Sequence, residues 1–436
     1  MVEKNKVYIN TVSGFGADGE GVVKENNFPV FIPFALKGEQ IEYKVIKVLK
    51  NHAFGKLIRI ISPSPDRVEP CCDVFSRCGG CSMLHIDYPK QLEIKKSNVI
   101  TCMKKYSGSD IKVNAVVPCK QIFEYRNKAQ YPISNGKCGF YALRSHDIIP
   151  VNKCMIQNSA DENIIKVILA YVKITNAPIK HIYTRYGKDE CMVVLVSKKP
   201  KLPNIDHLVK KLLEVNNLIS SIILNVNPEE TNVILGKRNI TVYGKSSISA
   251  SIGKLTFDIS PLSFFQVNSI QTEVLYNTAK KLACFKSTDK IVDLYCGTGS
   301  IGLYMADSVK NVLGVEIVPD AIENAIANAK KNNIKNAEFI CGAAEDLMPE
   351  IVKKYEHIDA VILDPPRKGC DESLLNCLLK TKINKILYIS CNPATLARDI
   401  SILSKEYTSS EITPVDMFPH TSHVECVVVL TRTSNS

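Results

Sequence analysis

The chain has 436 residues, of which 45% are apolar and 23% charged, the composition of an ordinary globular protein with two or three domains. Lysine and arginine exceed aspartate and glutamate by 55 − 44 = 11, a balance that suits a polyanionic partner without establishing one. Because no apolar run approaches the roughly 20 residues that cross a bilayer and no secretory signal begins the chain, we expect a cytoplasmic protein with no membrane contact.

Sixteen cysteines are many for such a protein. Disulfide frameworks belong to small secreted domains, so we expect metal ligation or catalysis from a few of these thiols. The others are expected to be small buried apolar side chains.

Residues 1–60 contain short β-rich runs separated by glycine-rich turns. This pattern predicts a small five-stranded barrel of the oligonucleotide-binding kind. Four lysines are expected on its surface, either to hold nucleic acid or only to keep the barrel soluble: Lys44, Lys47, Lys50 and Lys56.

Residues 61–250 are predicted to form a mixed α+β domain that begins with a cysteine-rich stretch. Cys72, Cys78 and Cys81 are spaced like metal ligands, and from spacing alone zinc and an iron–sulfur cluster both remain open. Further on, the run 125–128 (Tyr-Arg-Asn-Lys) precedes a strand and is interpreted either as a contact to RNA phosphates or as a structural turn.

Residues 251–436 show the strand–helix alternation of an open parallel sheet. Gly297-x-Gly299-x-x-Gly302 follows a buried strand, and Glu316 ends the next strand, where its carboxylate can accept hydrogen bonds from both hydroxyls of a ribose. This glycine pattern is typical of binding sites for NAD and for S-adenosylmethionine alike. The antiparallel hairpin at the end of the domain resembles the Rossmann-like methyltransferases and favours S-adenosylmethionine.

Cys391 follows another predicted strand and precedes a helix that starts after Asn392-Pro393. Ligands bind at the carboxyl ends of strands in such a sheet, and a helix N-terminus is expected to favour the reactive thiolate. A methyltransferase needs a thiol to activate uracil, because C5 is a poor nucleophile until something adds at C6. Cys391 as nucleophile, Glu425 as base and Asp364 as the group holding the pyrimidine edge fit that chemistry.

The sequence resembles the iron–sulfur-containing RNA uracil-5-methyltransferases over essentially its whole length. Three runs match the motifs of that family in order and spacing: Asp364-Pro365-Pro366-Arg367, Ser390-Cys391-Asn392-Pro393 and His423-Val424-Glu425. The resemblance implies a three-part α/β plus small β-barrel architecture: an N-terminal TRAM barrel that grips RNA, an α+β iron–sulfur domain and a Rossmann-like methyltransferase sheet.

The resemblance also implies site residues. It makes Cys391 the nucleophile and Glu425 the base that removes the C5 proton. S-adenosylmethionine is then expected at Gln266, Tyr295, Glu316 and Asp364. A [4Fe–4S] cluster is expected at Cys72, Cys78, Cys81 and Cys154, although Cys71 leaves the first ligand ambiguous.

The predicted substrate is a uridine in 23S ribosomal RNA, with transfer RNA as the alternative and a monomer as the expected state. Two other classes of protein share parts of this pattern. A base N-methyltransferase has an aromatic residue where this chain has Arg367, and a non-catalytic iron–sulfur RNA-binding protein would leave Cys391 merely buried. Phe264 and Phe265 are interpreted as core residues or a stacking pair, and His420 and His423 as hydrogen-bonding residues more readily than as a metal pair.

Overall fold

The computed structural model describes residues 2–143, 145–355 and 357–433. In this part of the chain the elements fall into three regions that follow one another in sequence. Each region has its own sheet, and apolar side chains join the second region to the third.

The first region is a small curled sheet. Among the described residues its strands are β1 (Val7–Thr11), β2 (Gly14–Phe15), β3 (Gly21–Glu25), β4 (Phe28–Ile32), β5 (Gln40–Val48) and β6 (Ala53–Ser62). They lie in the order β1-β5-β6-β4-β3-β2, with only the β4–β6 pair parallel. The sheet has one strand more than the predicted five because the glycine-rich turn forms the short β2.

The second region opens with helix α1 (Tyr88–Cys102), which ends in a π-helical turn at Met103–Ser107. Its sheet follows, with two helices on one face. The elements are β7 (Lys128–Ser134), β8 (Lys137–Tyr141), β9 (Ile148–Pro150), α2 (Asp161–Thr175), β10 (Ile179–Tyr186), β11 (Cys191–Ser197), α3 (Ile205–Val215), β12 (Ile219–Val226) and β13 (Arg238–Gly244). The strand order is β13-β12-β11-β10-β7-β8-β9.

The third region starts with the hairpin β14 (Ile248–Ile252) and β15 (Leu255–Ile259) and continues with α4 (Ser269–Ala283). Its remaining elements build the main sheet and the helices beside it. These are β16 (Lys290–Leu294), α5 (Ser300–Met305), β17 (Asn311–Glu316), α6 (Pro319–Lys331), β18 (Ala337–Cys341), α7 (Ala344–Lys354), β19 (Ala360–Leu363), α8 (Glu372–Lys380), β20 (Lys385–Ser390), α9 (Pro393–Leu403), β21 (Tyr407–Ser409), β22 (Thr413–Val415) and β23 (Glu425–Arg432).

The main sheet has the order β18-β17-β16-β19-β20-β23-β21, and β22 also pairs with β23. The first five strands are parallel, whereas β23 runs antiparallel to β20. The predicted parallel sheet with a reversed final hairpin is therefore confirmed. Two apolar clusters, one on each face, bury this sheet.

Helix α1 belongs to the second region in sequence but packs against the core of the third. Val99 and Met103 lie in the same buried cluster as Leu396 and Ile400 of α9. The Lys95 ammonium sits inside this contact, without solvent exposure.

Lys95 forms a fully buried ion pair with Asp416. Its Nζ lies 2.6 Å from Asp416 Oδ1 and donates to the carbonyl of Phe418 at 3.0 Å. The Tyr88 hydroxyl donates to the other carboxylate oxygen of Asp416 at 2.8 Å. The contacts tie α1 to the turn between β22 and β23.

Within the described residues, every helix is too short or too polar to traverse a lipid bilayer.

Replacing Lys95 with Met should lower the free energy of unfolding by about 3–5 kcal/mol, because the Asp416 carboxylate would stay buried without its counter-charge. Denaturant titration followed by circular dichroism measures this change. The matched control is Lys112→Met, which breaks the exposed pair with Glu411 and should cost less than about 1 kcal/mol. An equal decrease in the free energy of unfolding in the two variants would contradict a larger contribution from the buried pair.

Candidate active site

The glycine-rich turn after β16 forms one end of the site. Tyr295, Gly297 and Gly299 have φ angles of 64°, 55° and 80°, in the left-handed region that glycine adopts most readily. The amide of Gly302 donates to Asp293 Oδ2 at 2.8 Å. A Cβ at Gly302 would lie 2.9 Å from that same oxygen, so only glycine allows this close approach.

Glu316 ends β17 and faces this turn, as its position in the sequence predicts. Its two carboxylate oxygens accept hydrogen bonds from the amides of Gly297 at 3.1 Å and Val318 at 3.0 Å. The carboxylate is thereby oriented beside the turn, and its remaining lone pairs can accept bonds from a ligand hydroxyl.

The strand register places the other predicted residues along one edge of the main sheet. Leu294 pairs with Leu363, and Ser390 pairs with Cys426. One residue further toward this edge, the neighbouring strands carry Tyr295, Asp364, Cys391 and Glu425. Extending the antiparallel register by one residue sets Cys391 opposite Glu425.

Tyr295 is half-buried and packs against the apolar cluster on one face of the sheet. Burial raises the pKa of its hydroxyl, and the neighbouring Cys370 and Glu345 add to the effect. Its positive φ turns the chain away from β16 at the point where the glycine-rich turn starts.

The two carboxyl groups of this edge, those of Asp364 and Glu425, have raised pKa values. Burial raises the pKa of Asp364 to about 7. Glu425 is only 6% exposed, and burial together with the charge of Asp364 raises its pKa to about 8. Near neutral pH this edge therefore carries less negative charge than its two carboxyl groups suggest.

The Cys391 thiol is also protonated in this arrangement. Burial raises its pKa to about 11, and the charges of Glu425 and Asp364 add to the shift. Burial and the two neighbouring carboxyl groups thus oppose the thiolate, which the start of α9 was expected to favour. The side chain of Asn392 caps that helix.

Arg367 supplies the opposing charge, lowering the pKa values of both Cys391 and Glu425. Its carbonyl accepts hydrogen bonds from Asn392 Nδ2 at 3.0 Å and Thr395 Oγ1 at 3.3 Å, which ties its loop to the segment beside Cys391. From the sequence, Arg367 was expected only as a motif residue that separates two classes of enzyme, without a role of its own. The sequence offered one signal for such a role, a basic residue in the loop that follows Asp364 at the end of β19.

Asp399 is a second residue that the sequence analysis missed. It lies on α9 without solvent exposure and accepts hydrogen bonds from the amide of Cys370 at 2.9 Å and the Tyr388 hydroxyl at 2.6 Å. The contacts hold the loop after Asp364 against the strand that leads to Cys391. An acid on the apolar face of a helix was the only sequence signal.

Gln266 lies on the segment between β15 and α4, which the second region anchors. Asn127 Nδ2 donates to the carbonyl of Gln266 at 2.9 Å and to Ser269 Oγ at 2.7 Å. The two phenylalanines before it separate in role, since Phe265 is 3% exposed and Phe264 is 68% exposed. Core packing thus accounts for Phe265 only.

The four cysteines predicted to hold a cluster line one cavity of about 230 Å³: Cys72, Cys78, Cys81 and Cys154. Burial raises the pKa values of Cys78 and Cys81, and neighbouring cysteines add to both effects. Cys71 is exposed and does not line this cavity. In the described ranges, no three His, Cys, Asp or Glu side chains are grouped so that they could hold a metal ion.

His420 and His423 take separate places. His420 stacks on Phe123 at 4.7 Å between ring centroids, and its Nδ1 lies 3.1 Å from Gln91 Nε2. His423 lies 3.5 Å from a guanidinium nitrogen of Arg367. The arrangement agrees with the hydrogen-bonding interpretation of these histidines.

A parallel sheet with a glycine-rich turn, an acid after the next strand and a reversed final strand defines a Rossmann-like methyltransferase fold. The model of the tRNA (Uracil-5-)-methyltransferase family matches residues 87–433, and the chain belongs to that family. It is accordingly an RNA uracil-5-methyltransferase.

Relatives support this assignment along the whole chain. A Clostridium tetani protein described as an uncharacterized RNA methyltransferase is 44% identical, over 99% of this chain and 97% of its own length. A Staphylococcus aureus protein with the same description is 43% identical over 98% of each chain. The solved Pyrococcus abyssi tRNA (uracil-54, C5)-methyltransferase, in complex with S-adenosyl-L-homocysteine, is 29% identical with a TM-score of 0.79 over 97% of this chain and 99% of that one.

Raising the pH from 7 to 9 should speed alkylation of Cys391 by iodoacetamide about 100-fold, since only the thiolate reacts and its fraction grows about tenfold per unit below the pKa. Peptide-resolved mass spectrometry is needed because the chain has sixteen cysteines. Glu425→Gln removes a charge that raises this pKa and should increase the rate at pH 9. Glu323→Gln, an exposed change on α6, should not, and a rate independent of pH would contradict the raised pKa.

Proposed function

We propose that the protein transfers a methyl group from S-adenosylmethionine to C5 of a uridine in 23S ribosomal RNA, through a covalent bond between Cys391 Sγ and C6. One observation carries the proposal: a single sheet edge brings the Cys391 thiol together with the carboxyl groups of Asp364 and Glu425. The required nucleophile, base and hydrogen-bonding group are thus neighbours.

The residues proposed to hold S-adenosylmethionine are Gln266, Tyr295, Glu316 and Asp364. Glu316 fits best, because its carboxylate is already oriented beside the glycine-rich turn. Asp293 lies on β16, just before this turn, and its Oδ1 is buried without a hydrogen-bond partner among the described residues, which is consistent with a polar ligand nearby. When bound, the cofactor supplies an electrophilic methyl group.

The protein residues then act in sequence. Cys391 releases its proton to solvent, and its sulfur adds to C6 of uracil, which places enolate character on C5. After C5 has taken the methyl group, the Glu425 carboxylate accepts the C5 proton. The returning electron pair reforms the C5–C6 double bond and expels the Cys391 sulfur.

Arg367 favours both reactive forms. Its positive charge lowers the pKa values of Cys391 and Glu425, so it stabilises the thiolate before attack and the carboxylate before proton removal. The loop contacts to Asn392 and Thr395 keep this charge beside the sulfur.

The first region is proposed to act as the TRAM domain that grips RNA, with a boundary near residue 60. Its four predicted lysines are all exposed, as phosphate contacts require: Lys44, Lys47, Lys50 and Lys56. Phe264 is available to stack on a splayed base, because it is exposed next to the cofactor segment.

We also propose that the cysteine cavity binds a [4Fe–4S] cluster. A cubane attaches its four thiolates to four different irons, so the ligands lie further apart than the ligands of one ion. Arg126 also lines this cavity; its Nε is buried without a hydrogen-bond partner, and its charge lowers the pKa of Cys81. An anionic cluster would compensate that charge.

Transfer RNA is the second candidate substrate. The Pyrococcus abyssi enzyme that matches this chain over 97% of its length is a tRNA methyltransferase, and the family model carries the same description. Mapping 5-methyluridine in ribosomal and transfer RNA from a strain that lacks the gene distinguishes the two. Loss from transfer RNA alone would overturn the ribosomal assignment.

Incubation with S-adenosylmethionine and transcripts that contain 5-fluorouridine should trap a covalent adduct on Cys391, because fluorine cannot leave as a proton. Denaturing electrophoresis and peptide mass spectrometry detect it. Cys391→Ala should form no adduct. With ordinary RNA, Glu425→Gln should form the adduct but release product at least about 100-fold more slowly, the usual scale for losing a general base.

Two results would contradict the mechanism. An adduct of equal yield in Cys391→Ala would exclude this sulfur, and no adduct in the wild-type protein with either RNA would exclude covalent catalysis. Normal turnover of Glu425→Gln would remove that residue from its role.

Cys81→Ser should lose most of the iron and sulfide after anaerobic reconstitution, because the cavity then lacks one of its four thiolates. Metal analysis and the visible absorption of the cluster measure the loss. Cys71→Ser is the matched control, because that neighbouring thiol is exposed and should leave the iron content unchanged. Zinc without sulfide in the wild-type protein would contradict the cluster assignment.

A further inference from the structure

The sheet of the second region has two unlike faces. One face is covered by α2 and α3, whose apolar residues pack on β10 through Ile182 and Tyr186. The side chains that alternate with these point to the other face. On β10 they are His181, Tyr183 and Arg185.

The strand register aligns polar partners on that second face. Lys128 lies opposite Arg185 and Gln130 lies opposite Tyr183. The Tyr141 hydroxyl, on β8, lies 3.5 Å from His181 Nε2. Lys128, Gln130, His181 and Tyr141 thus line a polar and aromatic strip, called the β7–β10 strip below, whereas Tyr183 is 8% exposed and packs in the apolar cluster that joins the second region to the third.

The inner end of the strip adjoins the proposed cofactor segment. Arg185 is 3% exposed and donates to the carbonyls of Ser260 at 2.5 Å and Ser263 at 2.8 Å, just before Gln266. Asn127, next to Lys128, bonds the carbonyl of Gln266 itself. A strand of RNA that leaves the proposed site on this side would therefore meet the strip.

The charges at the inner end lack a counter-ion. Like charges directly opposite each other on neighbouring strands destabilise a sheet, and Lys128 faces Arg185 in this way. Among the described residues no acidic side chain forms an ion pair with either of them. The carbonyls satisfy Arg185, whereas Lys128 Nζ lies over the Tyr183 ring, 5.8 Å from its centroid.

The outer end has a different chemistry. Tyr141 is 37% exposed and His146 meets its ring edge-on at 5.6 Å between centroids. Exposed aromatic rings beside a cation are the usual platform for single-stranded RNA, because every base has a face that stacks.

We propose that the β7–β10 strip binds the RNA strand next to the target uridine, with Lys128 contacting a phosphodiester group and Tyr141 stacking on a base. The inference rests on the proposed function for the identity of the ligand. A phosphate on Lys128 offsets the repulsion between this amine and the buried Arg185 guanidinium, which the backbone carbonyls already satisfy.

The Lys128 contact has a signature in pH. Burial and the charges of Arg185 and Arg126 lower its pKa to about 8 in the free protein. Phosphate binding favours the charged amine, so RNA affinity should fall as the pH rises from 7 to 9. Lys128→Arg stays charged over that range and should lose this part of the pH dependence.

The first test measures binding of a fluorescein-labelled oligouridylate at several salt concentrations. Lys128→Gln should weaken binding about tenfold at low salt and lower the slope of log Kd against log salt by about 0.7, the value for one phosphate on a single strand. Lys128→Arg should keep the slope. Lys210→Gln is the matched control, because it lies exposed on α3 over the opposite face of the sheet.

The second test replaces the aromatic ring. Tyr141→Leu should weaken binding about tenfold, within the range measured for one stacked base. Tyr243→Leu is the control, since Tyr243 has a similar exposure of 39% but lies on β13, at the far edge of the sheet. Thermal unfolding of each variant checks that the fold is retained.

The strip is excluded if Lys128→Gln binds with the wild-type affinity and slope, or if the control variants lose as much affinity. The adduct assay at a saturating concentration of RNA that contains 5-fluorouridine distinguishes this outcome from failure of the proposed function. Lys128→Gln should then form the Cys391 adduct in full yield. If the wild-type protein forms no adduct, the covalent mechanism is contradicted, whether or not the strip binds RNA.

Discussion

The buried ion pair between Lys95 and Asp416 fixes one part of the sheet edge that carries Cys391 and Glu425. It holds α1, from the second region, against the turn that leads into β23. Strand β23 begins with Glu425, and its register against β20 sets that residue opposite Cys391. Because both charges are fully buried, a rearrangement that separates them would leave each charge without its partner, and the pair therefore holds the turn against α1.

Burial raises the pKa values of several carboxyl groups at this edge of the sheet, so they stay protonated to higher pH. Asp293, Asp364 and Glu425 have pKa values of about 8, 7 and 8, with burial as the first cause in each. Such a site disfavours further negative charge, which explains why the Cys391 thiol is also protonated. A cation entering between these groups would lower all four pKa values at once, so charge and reactivity are coupled across the edge.

The sequence was sufficient to predict which residues lie at the ends of strands in the main sheet. Strand periodicity, the glycine turn and the Asp-Pro-Pro run located Glu316, Asp364 and Cys391 before any coordinates were needed. It was insufficient where partners are distant: Lys95 and Asp416 are 321 positions apart, and each alone reads as an ordinary surface charge. The raised pKa of Cys391 could not be predicted either, because burial of the thiol and its closeness to the charges of Glu425 and Asp364 are properties of the folded edge.

The position of β23 has a consequence for folding during synthesis. This strand follows every other strand in sequence but lies inside the sheet, between β20 and β21. Until the ribosome has released it, β20 presents an open edge of unpaired backbone groups, the usual template for aggregation. A message truncated before residue 425 would thus yield a chain with an exposed β20 edge and without the residue that lies opposite Cys391.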